Sequence, residues 1–179
     1  ALNTNILNTG ANGLGKNLSV KTGGDLDIQG GKSLTIKETV NVDAGGIFNI
    51  QNNGSLVQID NVANTVAGTF SYKRNAITNS YLDYVYWSTP VAGFSVNNIT
   101  PAAIHRYLWN PTTASGYTSN FGNWAAASGA MTTGRGYIVR GSSGTSSFNG
   151  VTNNGNITIP ITRSTYLGAP YAGPTPTMI

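Results

Sequence analysis

Between residues 18 and 59 the chain alternates short apolar pairs with polar, glycine-rich turns. The pairs are Leu18/Val20, Leu26/Ile28, Leu34/Ile36, Val40/Val42 and Phe48/Ile50, each split by one polar residue or by Ser, Asp, Thr or Asn. Side chains two apart on a strand share a face, so each pair predicts a short strand with one apolar and one polar side. The strand starts fall at 18, 26, 34, 40, 48 and 56, and the intervals 18 to 40, 26 to 48 and 34 to 56 are each 22 residues. A 22-residue unit of three short strands predicts one coil of a three-sided β-solenoid, with successive coils paired in parallel about 4.8 Å apart.

Residues outside that window test the period. Gly23-Gly24 recurs as Gly45-Gly46, and the phase predicts inward apolar residues at Ile6, Leu14, Val62, Phe70 and Tyr72. Two stacks are therefore expected: Ile6 on Ile28 on Ile50, and Leu18 on Val40 on Val62. Thr4, Asn12, Gln58 and Asn64 fall on inward positions and break the pattern. Glycine corners supply the positive-φ geometry that sharp bends need. Asn53-Gly54 is also a hairpin signal, but hairpins between neighbouring pairs do not explain a match at 22 residues. About three coils are expected, in a solenoid over residues 1–72.

After residue 72 the pattern changes. All three tryptophans lie in this part, and prolines at 90, 101, 111, 160, 170, 174 and 176 punctuate it. Alternation predicts strands at 82–87, 105–109, 136–140 and 156–161. Residues 101–108 are the one candidate for a short helix. The expected fold class is all-β: a short three-sided solenoid followed by an antiparallel β-sandwich-like module over 73–179, which would cap the open end of the solenoid.

Composition narrows the function classes. The chain has 179 residues and no cysteine, so no thiol chemistry and no Cys-based metal site is available. Only 9% of residues are charged, against about 25% in an average protein, which suits an extracellular β-protein. No apolar run reaches the length of a membrane-spanning helix. Up to Gly68 four lysines face five acids; beyond it six basic residues (Lys73, Arg74, Arg106, Arg135, Arg140, Arg163) face Asp83 alone. The basic residues are dispersed, which speaks against nucleic-acid binding.

Three motifs in the second half occur in a fixed order: Y-W-S-T-P-V at 86–91, G-R-G-Y-I-V at 134–139 and F-N-G-V-T-N-N-G-N-I at 148–157. With the preceding N-L-S-V and L-D-I-Q-G-G-K-S-L-T-I repeats, this set resembles the large, repetitive cell-surface proteins of Flavobacterium and other Bacteroidetes. The resemblance covers nearly the whole chain. It implies export by the type IX secretion system, an extracellular location at the cell surface, and an adhesin or gliding-motility role. The module in such proteins usually continues into an N-P-Y-P-S signature and a sorting domain. This sequence ends at Ile179 without them, so it is expected to be an excised piece, with the module incomplete at its C-terminus.

Candidate chemistry is sparse. Hydrolysis of a glycosidic bond needs two carboxylates about 5 to 10 Å apart, and after Asp60 there is only Asp83. His105 is the single histidine, which excludes a His-rich metal site and is read as structural. Gly134-Arg135-Gly136 lacks the Lys-Ser/Thr end of a phosphate loop and is read as a tight turn. Asp25 and Asp27 share a strand face and are a weak candidate for Ca²⁺; no other cofactor is expected. Trp87 is the expected core anchor. Trp109, Tyr117 and Trp124, flanked by polar loop sequence, are the expected ligand contacts if the aromatics form a sugar-stacking surface.

The expected function is a non-enzymatic structural and adhesive module giving a stiff stalk and a contact surface. The alternative is a carbohydrate-binding module. Expected partners are neighbouring domains of the same long chain, other surface proteins or polysaccharide, and the secretion machinery; no nucleic acid and no membrane insertion is expected.

Overall fold

The structure is a computed structural model that describes residues 12–100, 105–113 and 122–163, together with the backbone of Asn3–Thr4. The described chain is all-β, with one short 3-10 turn at Val96–Asn98. Its first half builds three parallel sheets. One contains β1 (Asn3–Thr4), β4 (Asp25–Ile28), β7 (Ile47–Ile50) and β10 (Thr69–Ala76). The second contains β2 (Gly13–Gly15), β5 (Ser33–Ile36) and β8 (Ser55–Gln58), and the third β3 (Leu18–Val20), β6 (Val40–Val42) and β9 (Thr65–Val66).

Register follows the sequence period. Leu26 pairs with Phe48 and Phe48 with Phe70; Ile28 pairs with Ile50 and Ile50 with Tyr72; Leu34 pairs with Leu56 and Leu18 with Val40. Phe48, Phe70, Ile28, Ile50, Val40 and Val42 are fully buried. Burial of each such side chain is worth about 1.5–3 kcal/mol, so these columns dominate the stability of the stack. Neighbouring strands β7 and β8 pair with different sheets, which rules out a hairpin at Asn53-Gly54. Asn53 instead turns a corner at φ 62°.

The corners explain the glycine spacing. Gly24, Gly46 and Gly68 recur every 22 residues, each pressed against earlier backbone. A Cβ on Gly46 would lie 2.7 Å from the Val20 carbonyl oxygen and 3.0 Å from that of Lys21, while one on Gly68 would overlap the carbonyl oxygens of Asp43 and Gly46.

Two expected inward positions, Leu14 and Val62, fail by a change of register. Leu14 pairs with Thr35, a spacing of 21, and is 84% exposed while Gly15 lies over Ile36. A one-residue slip sends a side chain to the opposite face. Val62 does not sit on Val40, because in the third sheet Asn41 pairs with Thr65, a spacing of 24. The additional residues form the loop 59–64. At its end the side-chain oxygen of Asn64 accepts from the Val40 backbone N–H at 2.9 Å. Asn64 and Gln58 also exchange amide hydrogen bonds of 2.7 and 2.8 Å. Two residues that break the apolar pattern thus satisfy each other at the loop. Ile6 lies outside the described residues.

The second half builds an antiparallel sheet in the order β11 (Tyr84–Trp87), β14 (Tyr137–Arg140), β12 (Arg106–Asn110), β13 (Asn123–Ala126). Residues 106–108 are therefore strand, not helix. The final strand, β15 (Gly144–Asn149), leaves this sheet and pairs antiparallel with β10. β10 joins the two halves: Thr69–Tyr72 continue the parallel stack on β7, while Ser71–Ala76 pair with β15. The 72/73 boundary expected from sequence falls inside this strand. Phe148 on β15 packs at 4.6 Å from Phe94 and 5.7 Å from Trp87 (ring centroids), and all three join Phe48 and Phe70 in one core cluster.

Residues 156–161, expected as a strand, pair with no strand among the described residues and are exposed. Their alternation fits a strand, but Pro160 removes a ladder donor. Just before them, the side chain of Asn154 donates to the carbonyls of Asp60 (2.9 Å) and Val62 (2.8 Å), clamping the 59–64 loop to the second half.

Candidate functional site

The antiparallel sheet has two chemically different faces. Val85, Trp87, Tyr137 and Val139 point into the core, where the Trp87 indole N–H donates to the Ser142 hydroxyl at 3.0 Å. Trp87 is thus the expected anchor. The opposite face follows from register: Tyr86 pairs with Ile138, Ile138 with Tyr107, Trp109 with Trp124, and Tyr84 with Arg140. Cross-strand partners share a face, so one side carries Tyr84, Tyr86, Tyr107, Trp109 and Trp124. Ile138 is buried among them, whereas Tyr86 is 73%, Trp109 43% and Trp124 39% exposed.

Within this face Trp109 and Trp124 stand edge to face at 5.3 Å, and Tyr84 and Tyr107 are 6.3 Å apart. Tyr86, Trp109, Trp124, Arg135 and Gly136 line an open cleft of about 250 Å³. Local backbone chemistry fixes the walls. Asn110 closes an Asx turn by accepting from the Thr112 N–H (3.1 Å) and hydroxyl (2.8 Å). Gly122 adopts φ 85°, and a Cβ there would come within 2.7 Å of the Trp109 ring. Gly134 turns at φ 76° so that Arg135 reaches back, its guanidinium donating to the Trp109 carbonyl at 3.2 Å.

The structure therefore brings Trp109 and Trp124 together; Tyr117 lies outside the described residues. Sequence reasoning places Tyr86 on the face opposite Trp87 without including it among the expected ligand contacts, and it reads Arg135 only as part of a turn. The signal was present: Tyr86 alternates out of phase with the core anchor Trp87, and Arg135 sits between two glycines.

The remaining candidates are dispersed. His105 Nδ1 is 3.0 Å from the Tyr107 hydroxyl and its ring stacks on that tyrosine, at the edge of the aromatic face. Asp27 accepts from the Gln51 side-chain amide at 2.6 Å. Asp25 Oδ1 is buried with no hydrogen-bond partner among the described residues. No third His, Cys, Asp or Glu joins this pair among the described residues. Asp83 accepts from the backbone N–H groups of Asn79 (2.8 Å) and Ser80 (3.0 Å) and so holds a turn. Glu38, Asp43 and Asp60 form ion pairs with Lys16, Lys21 and Lys37. None of the six carboxylates lines the aromatic cleft.

Residues 1–178 match the model of a family described as Domain of unknown function (DUF8693). The chain belongs to this family. No curated protein and no solved structure matched the DUF8693 chain. No helix among the described residues is long and apolar enough to cross a membrane.

Proposed function

We propose that this DUF8693 chain is a non-enzymatic structural and adhesive module of a large secreted cell-surface protein. In this reading the three parallel sheets are the walls of a short β-solenoid, and the antiparallel sheet with β15 is a β-sandwich-like node that closes its end. The observation that carries the reading is β10, which is shared by both halves and runs through one core. A strand hydrogen-bonded into both units transmits load between them without a hinge, which suits a stalk bearing a contact surface. The distribution of carboxylates supports the absence of hydrolysis, since hydrolysis needs an acid/base pair and no Asp or Glu lines the cleft. Export by type IX secretion and a role in adhesion or gliding rest on the motif resemblance. The test is incubation of the purified chain with a polysaccharide panel, read as reducing-end release, together with small-angle scattering. No turnover and an elongated, stiff particle are expected; turnover or a flexible two-lobed particle would contradict the proposal.

The cleft favours a second reading, a carbohydrate-binding module. Aromatic rings have a negative face, which attracts the polarised C–H bonds of a pyranose. Two exposed tryptophans and a tyrosine beside an open cleft are suited to that contact. Trp124→Ala is expected to abolish retention on a polysaccharide gel while leaving the melting temperature within a few degrees; retention unchanged by this substitution would remove the reading.

A further inference from the structure

The aromatic face carries positive charge and no compensating acid. Arg135 lines the cleft itself, and Arg140 lies on the same face opposite Tyr84. The three ion pairs among the described residues all lie between the lysines and acids of the first half; Arg135 and Arg140 enter none of them. The only acid after Asp60 is Asp83, whose carboxylate is occupied by the turn at Asn79 and Ser80. A guanidinium is a planar fork that matches a carboxylate in a bidentate manner, and such charge-assisted bonds are roughly twice as strong as neutral ones. Its position is built, because the Gly134 turn and the bond to the Trp109 carbonyl hold Arg135 beside the two indoles.

We propose that the cleft binds an acidic polysaccharide of the uronate type, with a sugar ring against Trp109, Trp124 and Tyr86 and its carboxylate on Arg135. This inference rests on the carbohydrate reading and narrows it to anionic glycans. The observation that favours a glycan over other polyanions is the combination of an aromatic platform with a single built cation, where polyanion binding by charge alone would use a run of basic residues. Arg140, on β14 and four residues after Gly136 of the cleft, extends the positive surface toward a further sugar of the chain.

The probe is polygalacturonate, compared by affinity electrophoresis and calorimetry with its fully methyl-esterified form, a neutral β-glucan and polyglutamate. Wild-type protein is expected to bind polygalacturonate at least about tenfold more tightly than the ester, a factor corresponding to about 1.4 kcal/mol. Arg135→Gln should erase that preference, Arg135→Lys should retain part of it, and Trp124→Ala should abolish binding to both forms. Equal affinity for acid and ester would overturn the anionic inference and leave the carbohydrate reading standing. Failure to bind any of the polysaccharides would overturn both. Polyglutamate bound as tightly as polygalacturonate, or wild-type behaviour of Arg135→Gln, would overturn the assignment of the sugar and of the arginine respectively.

Discussion

The outward faces of the two halves solve different problems. In the parallel stack, outward side chains bond to their equivalents one repeat away. Lys16 meets Glu38 and Lys21 meets Asp43, each across 22 residues, while the Asn17 side chain accepts from the backbone and hydroxyl of Thr39. In the antiparallel sheet the outward side chains are aromatic and cationic, and Arg135 and Arg140 join none of the ion pairs among the described residues. The polar groups paired in this way are satisfied within the chain. A surface of exposed rings and cations with no acid opposite is left available for contact. On the proposed function, the comparison teaches that reach and recognition belong to separate sequences, joined through one strand.

The join offers the strongest way to break the comparison. Phe148 touches Phe94 and Trp87 and belongs to the core cluster that includes Phe70. Phe148→Ala is expected to cost about 3–5 kcal/mol and to lower the denaturation midpoint of both halves together. Loss confined to the tryptophan signal, with the stack unaffected, would mean that the halves are separate. Next in size is Gly46→Ala, whose Cβ would meet the carbonyls of Val20 and Lys21. It should destabilise by about 1–3 kcal/mol through overpacking, measured by urea unfolding. Gly23→Ala, at φ 75° with nothing within 4 Å, should cost less, about 1 kcal/mol of backbone strain; the reverse order would show that the corners do not pack as described.

A sharper test of the cleft is Gly122→Ala. The new methyl would meet the Trp109 ring, the Pro111 Cα and the Asn110 carbonyl at φ 85°, so polysaccharide retention should fall several-fold together with a stability loss of about 1–3 kcal/mol, and near-ultraviolet circular dichroism should report altered tryptophan asymmetry. The smallest effect belongs to the exposed ladder pairs. Lys21→Ala is expected to change stability by less than about 1 kcal/mol, measured at low and high salt; a larger loss would give the ladder a structural weight that the burial of the inner columns does not leave for it.

Much of the stack was legible in the sequence because a repeated unit repeats its contacts. The pairs Leu26/Phe48/Phe70 and Ile28/Ile50/Tyr72 follow from counting alone. What counting misses is a change of loop length. The 59–64 loop moves Val62 off its predicted stack and lets an asparagine side chain replace a backbone acceptor at Val40. In the second half, alternation shows that a segment can form a strand but not that a partner exists. I-T-I-P-I at 157–161 alternates well yet pairs with no strand among the described residues, while the polar G-T-S-S-F-N of β15 becomes a strand because β10 offers it an edge. The cleft was half legible: Trp109 and Trp124 stood out as aromatics in polar surroundings, but the contribution of Arg135 depends on a turn that folds it back across 26 residues.

That the two halves form one mechanical unit can be tested by following equilibrium urea unfolding with two signals. Tryptophan fluorescence reports only the second half, where Trp87, Trp109 and Trp124 lie, and hydrogen exchange at the amides of Val42, Phe48 and Ile50 reports the stack. One shared core and one shared strand predict coincident transitions and equal free energies of opening. Two transitions, with the stack amides exchanging while the tryptophan signal stays native or the reverse, would contradict the account.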